Sequence, residues 1–190
     1  YDETGMDTVI AMLEKEPILG LDTETTGFDV HTCSLLLIQL GTKDFQVVFD
    51  AKLIHDKRLR NLLESDKLFL LFNAKFDLRF FMKEGIRIKR VYDVFLAEAI
   101  LTTGYDFDEQ DLSLKAVTLK YLNKERDKTI RGKINYLGSV PVVIEYAADD
   151  VVDLEDIMNL QLPEIDKWGL RKVLDLENEV VHVFAHMELV

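Results

Sequence analysis

Three short apolar runs near the start of the chain constrain its fold more than any other feature. They lie at residues 18–23, 35–40 and 45–49. The last two are joined by the sequence Gly-Thr-Lys-Asp at residues 41–44, and a short connection of this composition between apolar runs is typical of a β-hairpin. The sequence therefore predicts three consecutive antiparallel strands.

The remainder of the chain alternates between helical and strand patterns. A buried-strand run occupies residues 68–72, and we expect Pro17 and Gly85 to end the helices that precede them. Three strands followed by alternating helices and strands predict an α/β domain in which helices pack on a mixed sheet. The predicted helices cover residues 7–16, 56–65, 76–84, 93–102, 112–122, 140–160 and 163–190.

The composition supports one globular domain and disfavours several other classes of protein. Of the 190 residues, 48% are apolar and 31% are charged, which suits a chain that buries a core. The apolar runs are far shorter than the roughly 20 residues of a membrane-spanning helix. Cys33 is the only cysteine, so an internal disulfide or a cysteine-based zinc cluster is excluded. We expect an intracellular protein, located in the cytoplasm, that does not bind a membrane.

Charge is distributed unevenly along the chain. The net charge of −12 disfavours binding to nucleic acid through a broad basic surface. Residues 115–133 nevertheless hold seven basic residues against two acidic ones, whereas residues 145–190 hold twelve acidic residues against three basic ones. The basic segment is a candidate for contacting a nucleic-acid backbone, although a solvated helix and loop can have the same composition.

Two acidic residues lie at the end of the first predicted strand. Asp22 and Glu24 are two positions apart, so the alternation of side chains along a strand places both on one face. Crowding two like charges is costly unless a cation or a shared proton compensates. The pair is therefore a candidate metal site, with two ordinary surface acids as the alternative.

A second polar pair follows the strand at residues 68–72. Asn73 and Asp77 stand near the start of the next predicted helix. Both residue types are favoured at a helix N-terminus, where they cap and charge the first turn. Capping alone is sufficient to explain them.

A third group lies in the helical pattern of residues 140–160. Tyr146 and Asp150 are four residues apart, which places them on one helix face with Cβ atoms roughly 5 to 6 Å apart. The small residues Ala147 and Ala148 between them allow this helix to lie close to a strand. The face that carries the tyrosine and the aspartate is then expected to look directly at the sheet.

Taken in order, these groups resemble the three motifs of the DEDD superfamily of 3′-5′ exonucleases. Its Asp-x-Glu motif matches Asp22 and Glu24, its second motif matches residues 73–77, and its third, Tyr-x-x-x-Asp, matches residues 146–150. The tyrosine of the third motif is similar to that of the DEDDy branch. The resemblance covers residues 18–160 and implies a ribonuclease H-like fold, with a mixed five-stranded sheet and helices on both faces.

Within this branch, the chain looks most like the proofreading domain of family A DNA polymerases, the DNA polymerase I type. That family carries an asparagine at the position of Asn73, and residues 176–190 are similar to the helix that opens its polymerase domain. The resemblance implies an exonuclease domain at residues 1–162 and the truncated start of a polymerase domain at residues 163–190. A ribonuclease D-like exoribonuclease is an alternative, because its Leu-Ile-Gln strand is similar to residues 37–39. A non-catalytic DNA-holding domain is another.

The resemblance also implies a reaction, the hydrolytic removal of terminal nucleotides from a single-stranded DNA 3′ end with two Mg²⁺ or Mn²⁺ ions. Asp22 would bridge the two ions, and Glu24 and Asp150 would bind the ion that carries the nucleophile. Asp77 would hold the second ion through water. Tyr146 would orient the attacking water and, with these four acids, complete the catalytic set.

Contacts with the DNA strand are implied for three further residues. They are Thr23, Phe28 and Asn73. Phe28 falls where the family places an apolar wedge between terminal bases, although a loop aromatic that covers the core has the same sequence signature. Aromatic stacking and a few phosphate contacts are what a single-stranded 3′ end requires.

Overall fold

The computed structural model describes residues 3–104, 111–125 and 148–190. The strands in these ranges are β1 Ile18–Thr25, β2 Leu35–Gly41, β3 Gln46–Asp50, β4 Leu68–Leu71 and β5 Arg90–Asp93. They form one mixed sheet in the order β3-β2-β1-β4-β5. β2 lies antiparallel to β1 and β3, and β4 lies parallel to β1 and β5.

The three predicted antiparallel strands, their hairpin and the strand at residues 68–72 are confirmed. β5 was not predicted, because its four residues begin with an exposed arginine and end at Asp93, where the sequence instead predicts the start of a helix. The alternation of strands and helices after β3 nevertheless produces the expected mixed sheet.

Helices cover most of the remaining described residues. They are α1 Glu3–Lys15, a 3₁₀ helix Ala51–His55, α2 Lys57–Leu63, α3 Ala74–Lys83, α4 Val94–Thr102, α5 Leu114–Leu122, α6 Leu154–Lys167 and α7 Arg171–Leu189. Residues 148–152 are also helical. In the described ranges, none of these helices combines the length and the hydropathy needed to cross a membrane.

The largest departure from prediction lies near the end of the chain. The sequence predicts a helix break before Pro163, yet α6 runs through this residue to Lys167. A proline removes one helical hydrogen bond, but buried side chains on both sides of it, among them Gln161 and Ile165, hold the helix against the core. The chain turns instead at Gly169, whose φ of 68° suits a helix C-terminus.

The predicted domain boundary after residue 162 lies inside α6. The following helix, α7, packs on the body of the domain. Val181 and Ala185 are buried in the same core as α3, and Glu188 forms an ion pair with Arg79 of α3 at 2.7 Å. That residues 163–190 form the start of a polymerase domain stays a prediction.

The sheet carries helices on both faces, as predicted. Leu19 and Leu21 of β1 and Phe69 of β4 point to the face packed by α1, α2, α3 and part of α7. Leu70 of β4 points to the opposite face, where it joins side chains of α4, α5 and α6. The alternation of side chains along each strand therefore supplies two hydrophobic cores, one on each side.

Helical residues 148–152 approach β1 at a glycine. A Cβ atom on Gly20 would lie 2.8 Å from both the Cβ and the carbonyl oxygen of Val151, a separation that real side chains do not tolerate. The sequence predicts that small residues on the helix allow the close approach, and the structure shows that it also requires the missing side chain on the strand. Asp150, next to Val151, is thereby held against β1.

Candidate active site

Three carboxylates meet near the C-terminal end of β1. Asp22 and Glu24 share the face of the strand that residues 148–152 cover, and Asp150 comes from that helical segment. One oxygen atom from each carboxylate lies within 4.8 Å of the other two, and all three residues are half-buried. The structure thus brings together three of the four predicted metal ligands.

This donor set fits a hard divalent cation. Carboxylate oxygens are the ligands that Mg²⁺ and Mn²⁺ prefer. Three negative charges at this separation repel one another, and a cation among them would turn the repulsion into attraction. The close approach at Gly20 holds β1 and the helical residues 148–152 next to each other. The carboxylates that these two elements carry can therefore converge.

Asp77 lies on α3 and is more deeply buried than the three carboxylates. It is 2% exposed and lines the same cavity. Burial raises the pKa of Asp77 well above its ordinary value, a hydrogen bond from Thr23 opposes this, and the negative charges of Asp93 and Glu24 add to it. Asp77 is not one of the three residues whose oxygen atoms converge, so its role as a ligand through water stays a prediction.

Thr23 has a partner inside the protein. It lies between Asp22 and Glu24 on β1, so its side chain points to the opposite face of the sheet. Its hydroxyl donates a hydrogen bond to Asp77 Oδ1 at 2.5 Å, and the residue is 6% exposed. The Thr23 side chain therefore supports Asp77, and the substrate contact that the resemblance implies for Thr23 stays a prediction.

The N-terminus of α3 is capped by a residue that sequence reasoning missed. Asn73 has a left-handed backbone with φ 65°, and its side chain makes no capping hydrogen bond. Instead, Asp93 at the end of β5 accepts hydrogen bonds from the backbone N–H groups of Asn73 and Ala74, at 2.9 and 2.7 Å. The prediction that the Asn73 side chain caps this helix is therefore wrong, whereas Asp77 does lie in the first turn, as predicted. The exposed Asn73 lines the cavity.

Asp93 also caps its own helix, α4. Its carboxylate accepts hydrogen bonds from the backbone N–H groups of Phe95 and Leu96, so four donors converge on a side chain that is 1% exposed. Burial raises the pKa of Asp93 to about 6, and the backbone hydrogen bonds oppose this rise. An aspartate directly before a helical pattern is a known N-cap signal, but the sequence does not reveal that it reaches a second helix.

A cavity of about 460 Å³ opens beside the carboxylates. The acids form one part of its lining, and apolar side chains form the other. The apolar part consists of Phe28, Phe72, Phe76, Phe95, Leu112 and Leu114. A cavity with carboxylates on one wall and aromatic rings on the other is suited to a ligand that carries both a cation-binding group and a flat ring.

Phe28 stands at the rim of this cavity. It is 81% exposed, and its ring meets Phe76 of α3 edge-to-face with 6.2 Å between the ring centroids. The interpretation of Phe28 as a loop aromatic that covers the core does not fit this exposure. The position is suited to the predicted wedge, since most of the ring is available to a base.

Two predicted features lie wholly or partly outside the described residues. Tyr146 is outside them, as is the second half of the basic segment, residues 126–133. In the described half, Lys120 forms an ion pair with Glu98 at 2.6 Å, and Lys124 forms one with Asp153 at 2.9 Å. These two lysines therefore form ion pairs within the protein, which weakens the case for the basic segment as a contact for a nucleic-acid backbone.

Comparison with known proteins identifies the family. A family model described as a 3′-5′ exonuclease, of the DNA polymerase A type, matches residues 1–163. The chain belongs to this family of 3′-5′ exonucleases. The match includes Asp22, Glu24 and Asp150, so the three converging carboxylates are part of the family region. The resemblance drawn from the three motifs is confirmed at this level.

Two DNA polymerase I proteins are similar to the chain. The protein of Aquifex aeolicus is 29% identical over 194 residues, which cover 95% of this chain and 32% of the relative. That of Borreliella burgdorferi is 24% identical over 199 residues, which cover 96% of this chain and 21% of the relative. The chain therefore spans about a third and about a fifth of the lengths of these relatives.

Solved nuclease structures share the fold. Escherichia coli RNase D, an exoribonuclease involved in structured RNA processing, superimposes with a TM-score of 0.79 at 20% identity, over 99% of this chain and 49% of that one. Brucella melitensis NrnC with bound Mg²⁺ has a TM-score of 0.79 at 20% identity, over 91% of this chain and 85% of that one. These similarities confirm the predicted ribonuclease H-like fold.

Proposed function

We propose that this exonuclease removes nucleotides from DNA 3′ ends by metal-dependent phosphodiester hydrolysis, as the proofreading domain of a DNA polymerase I-type enzyme. The convergence of Asp22, Glu24 and Asp150 within 4.8 Å, beside a cavity with an aromatic rim, carries the proposal. Both sequence relatives are DNA polymerase I proteins, which favours DNA as the substrate.

The converging carboxylates are the proposed holders of two Mg²⁺ or Mn²⁺ ions, with Asp77 contributing through water. The chemistry that such ions supply when bound is activation of a water molecule and stabilisation of the leaving 3′-oxygen. Asp22 would be one of the residues that hold these ions, and Thr23 fixes the orientation of Asp77 through its hydrogen bond. Tyr146 orients the attacking water through its hydroxyl, as the resemblance implies.

The aromatic side of the cavity receives the end of the strand. Phe28 stacks on or between the terminal bases, and Phe76 supports its ring from behind. Stacking is insensitive to base identity because every base offers a flat face. A proofreading enzyme needs this tolerance, since it must accept any mispaired nucleotide at the 3′ end.

A polymerase partner in the same polypeptide is supported by the outer surface of α7. Leu176, Val183, Phe184 and Met187 are each at least half exposed, and a continuous apolar surface of this kind usually contacts another domain. The sequence relatives extend far beyond the region matched by this chain. We therefore assign this surface to contact with a polymerase domain.

A ribonuclease D-like activity on RNA is the second candidate, because the fold superimposes on RNase D over nearly the whole chain. The non-catalytic DNA-holding alternative requires loss of the metal ligands, and Asp22, Glu24 and Asp150 are all in place. The DNA exonuclease and the ribonuclease D-like enzyme are therefore distinguished by whether DNA or RNA is the better substrate.

The test is digestion of 5′-labelled DNA and RNA strands of the same sequence, with Mg²⁺, with Mn²⁺ and with EDTA. We expect stepwise shortening of the DNA from its 3′ end, with both metals but not with EDTA. Faster shortening of RNA would favour the ribonuclease D-like candidate. Activity that persists in EDTA, or shortening from the 5′ end, would contradict the proposed mechanism.

A further inference from the structure

Gln39, in the middle of β2, has a buried amide group that the fold does not satisfy. The residue is 0% exposed, and neither its Nε2 nor its Oε1 atom has a hydrogen-bond partner in the described part of the protein. Buried polar groups are nearly always hydrogen-bonded. An orphaned donor and acceptor on one side chain therefore require an explanation.

The register of the sheet places this amide beside the active site. Gln39 is the direct partner of Asp22 in the antiparallel pair of β1 and β2. Opposed residues of such a pair project to the same face, with Cβ atoms about 4.5 to 5.5 Å apart. The next residue on the other side of Gln39 is Val48 of β3, which offers no polar side-chain atom. Asp22 is thus the polar side chain opposite the amide in this row of the sheet.

Packing alone does not favour a glutamine at this position. Its neighbours on the same face include Leu37 and Val48, and an apolar residue would avoid the cost of an unpaired amide. A carboxylate that binds a metal, in contrast, is commonly held in orientation by a hydrogen-bond donor behind it. Gln39 has a donor of this kind, in register with Asp22, one of the proposed metal ligands.

We propose that Gln39 is a positioning residue of the metal site. Its Nε2 group donates a hydrogen bond to the Asp22 carboxylate and holds it in the orientation that binds the divalent cation. This inference rests on the proposed function, because it requires Asp22 to be a metal ligand. It assigns the unpaired Nε2 donor of Gln39 a partner that is engaged when the metal is bound.

The first test compares Gln39→Met with Thr118→Val. The methionine keeps the length of the side chain and removes the amide. Thr118 is a matched control, since its Oγ1 atom is also buried and unpaired but lies on α5, outside the cavity lining. Binding of Mn²⁺ is measured without DNA, from the electron paramagnetic resonance signal of the free ion, together with the thermal midpoint in EDTA.

We expect Gln39→Met to weaken Mn²⁺ binding by about 10- to 100-fold, while its thermal midpoint in EDTA equals or exceeds that of the parent. Thr118→Val is expected to bind Mn²⁺ as the parent does. Parent-like Mn²⁺ affinity in Gln39→Met would overturn the role of Gln39 and leave the proposed function intact. Failure of the parent protein to bind Mn²⁺ would overturn both.

The second test uses the unmodified protein and does not depend on the folding of a variant. The chain has four glutamines, so their side-chain amide signals can be assigned by nuclear magnetic resonance. Adding Mg²⁺ is expected to shift a Gln39 N–H proton downfield. Gln161, which is already bonded to Glu98 and to the Val94 carbonyl, is expected to move little. An unchanged Gln39 signal at saturating Mg²⁺ would overturn the proposal.

Discussion

Two centres of acidic side chains in this fold differ in how their negative charges are arranged. Glu98 of α4 is 2% exposed, and each of its carboxylate oxygens has a donor, Lys120 Nζ at 2.6 Å and Gln161 Nε2 at 3.1 Å. Near the end of β1, in contrast, Asp22 and Glu24 converge with a third carboxylate. At the first centre, the Glu98 carboxylate accepts hydrogen bonds from two protein donors. At the second, three carboxylates lie close to one another.

This difference separates a structural acid from a functional one. Removing one partner from a matched, buried centre leaves donors without an acceptor and destabilises the protein. Removing an acid from a cluster of like charges relieves repulsion and costs the fold little. Mutation at Glu98 should therefore lower stability, whereas mutation at Asp22 and Glu24 should lower activity and leave stability almost unchanged.

The largest expected effect is on activity, in the double variant Asp22→Ala/Glu24→Ala. We expect exonuclease activity to fall by at least about 1000-fold, or about 4 kcal/mol of barrier, because two metal ligands are lost. The thermal midpoint in EDTA should not fall, since repulsion is relieved. The control, Asp175→Ala/Glu179→Ala, removes the same charge from exposed positions of α7 and should retain activity. A midpoint far below that of the parent would assign a structural role to Asp22 and Glu24.

The next effect concerns pH and Asp93, whose carboxylate is buried but held by backbone donors. Its folded-state pKa of about 6 lies above the ordinary value of 3.8. Its contribution to stability is therefore fully present below pH 3.8 and is lost as the pH rises through 6. In Asp93→Asn, the free energy of unfolding relative to the parent should rise by about 2 kcal/mol between pH 4 and pH 7.

The control for this measurement is Asp56→Asn. A hydrogen bond from Arg58 lowers the pKa of Asp56 to about 2, so its contribution is present above pH 3.8 and is lost as the pH falls through 2. Urea denaturation of this variant in EDTA should show a constant difference from the parent between pH 4 and pH 7. An equally constant difference in Asp93→Asn would contradict the raised pKa of Asp93.

Glu98→Ala tests the structural centre directly. Loss of its carboxylate removes the acceptor of the Lys120 ammonium group and one of the two acceptors of the buried Gln161 amide. We expect the free energy of unfolding to fall by about 2 kcal/mol. Urea denaturation measures the loss. Glu164→Ala, which breaks the exposed ion pair with Lys167, should change it by less than about 0.5 kcal/mol. Equal effects in the two variants would remove the distinction between a matched buried centre and a surface pair.

The smallest expected effect is on substrate binding, in Phe28→Ala. The ring is exposed at the rim and supported from one side, so its loss should weaken binding of single-stranded DNA by about 1 to 2 kcal/mol, or roughly 5- to 30-fold in Kd. Fluorescence anisotropy with Ca²⁺ in place of Mg²⁺ measures binding without turnover. Trp168→Ala, at an aromatic residue that is 67% exposed beyond α6, is the control. Unchanged affinity with a lower thermal midpoint would place Phe28 in the core.

The sequence predicted the parts of the molecule that depend on simple periodicity. Side-chain alternation placed Asp22 and Glu24 on one face, and the apolar runs marked four of the five strands. Asp93 and Gly20 were missed because their roles depend on contacts between elements far apart in the sequence. The unpaired amide of Gln39 could not be predicted from the sequence pattern. A single polar residue in an apolar strand does not reveal which side chains will surround it in the fold.

The site at the end of β1 forms only when the helices on both faces of the sheet are packed against it. Asp22 and Glu24 lie on the face of the sheet covered by residues 148–152. Thr23 lies on the opposite face, where its hydroxyl donates a hydrogen bond to Asp77 of α3. A molecule in which either layer is detached would keep part of its secondary structure and lose the geometry of the site. Nuclease activity should consequently disappear before helical content during gradual unfolding, and a partly folded chain would have no nuclease activity.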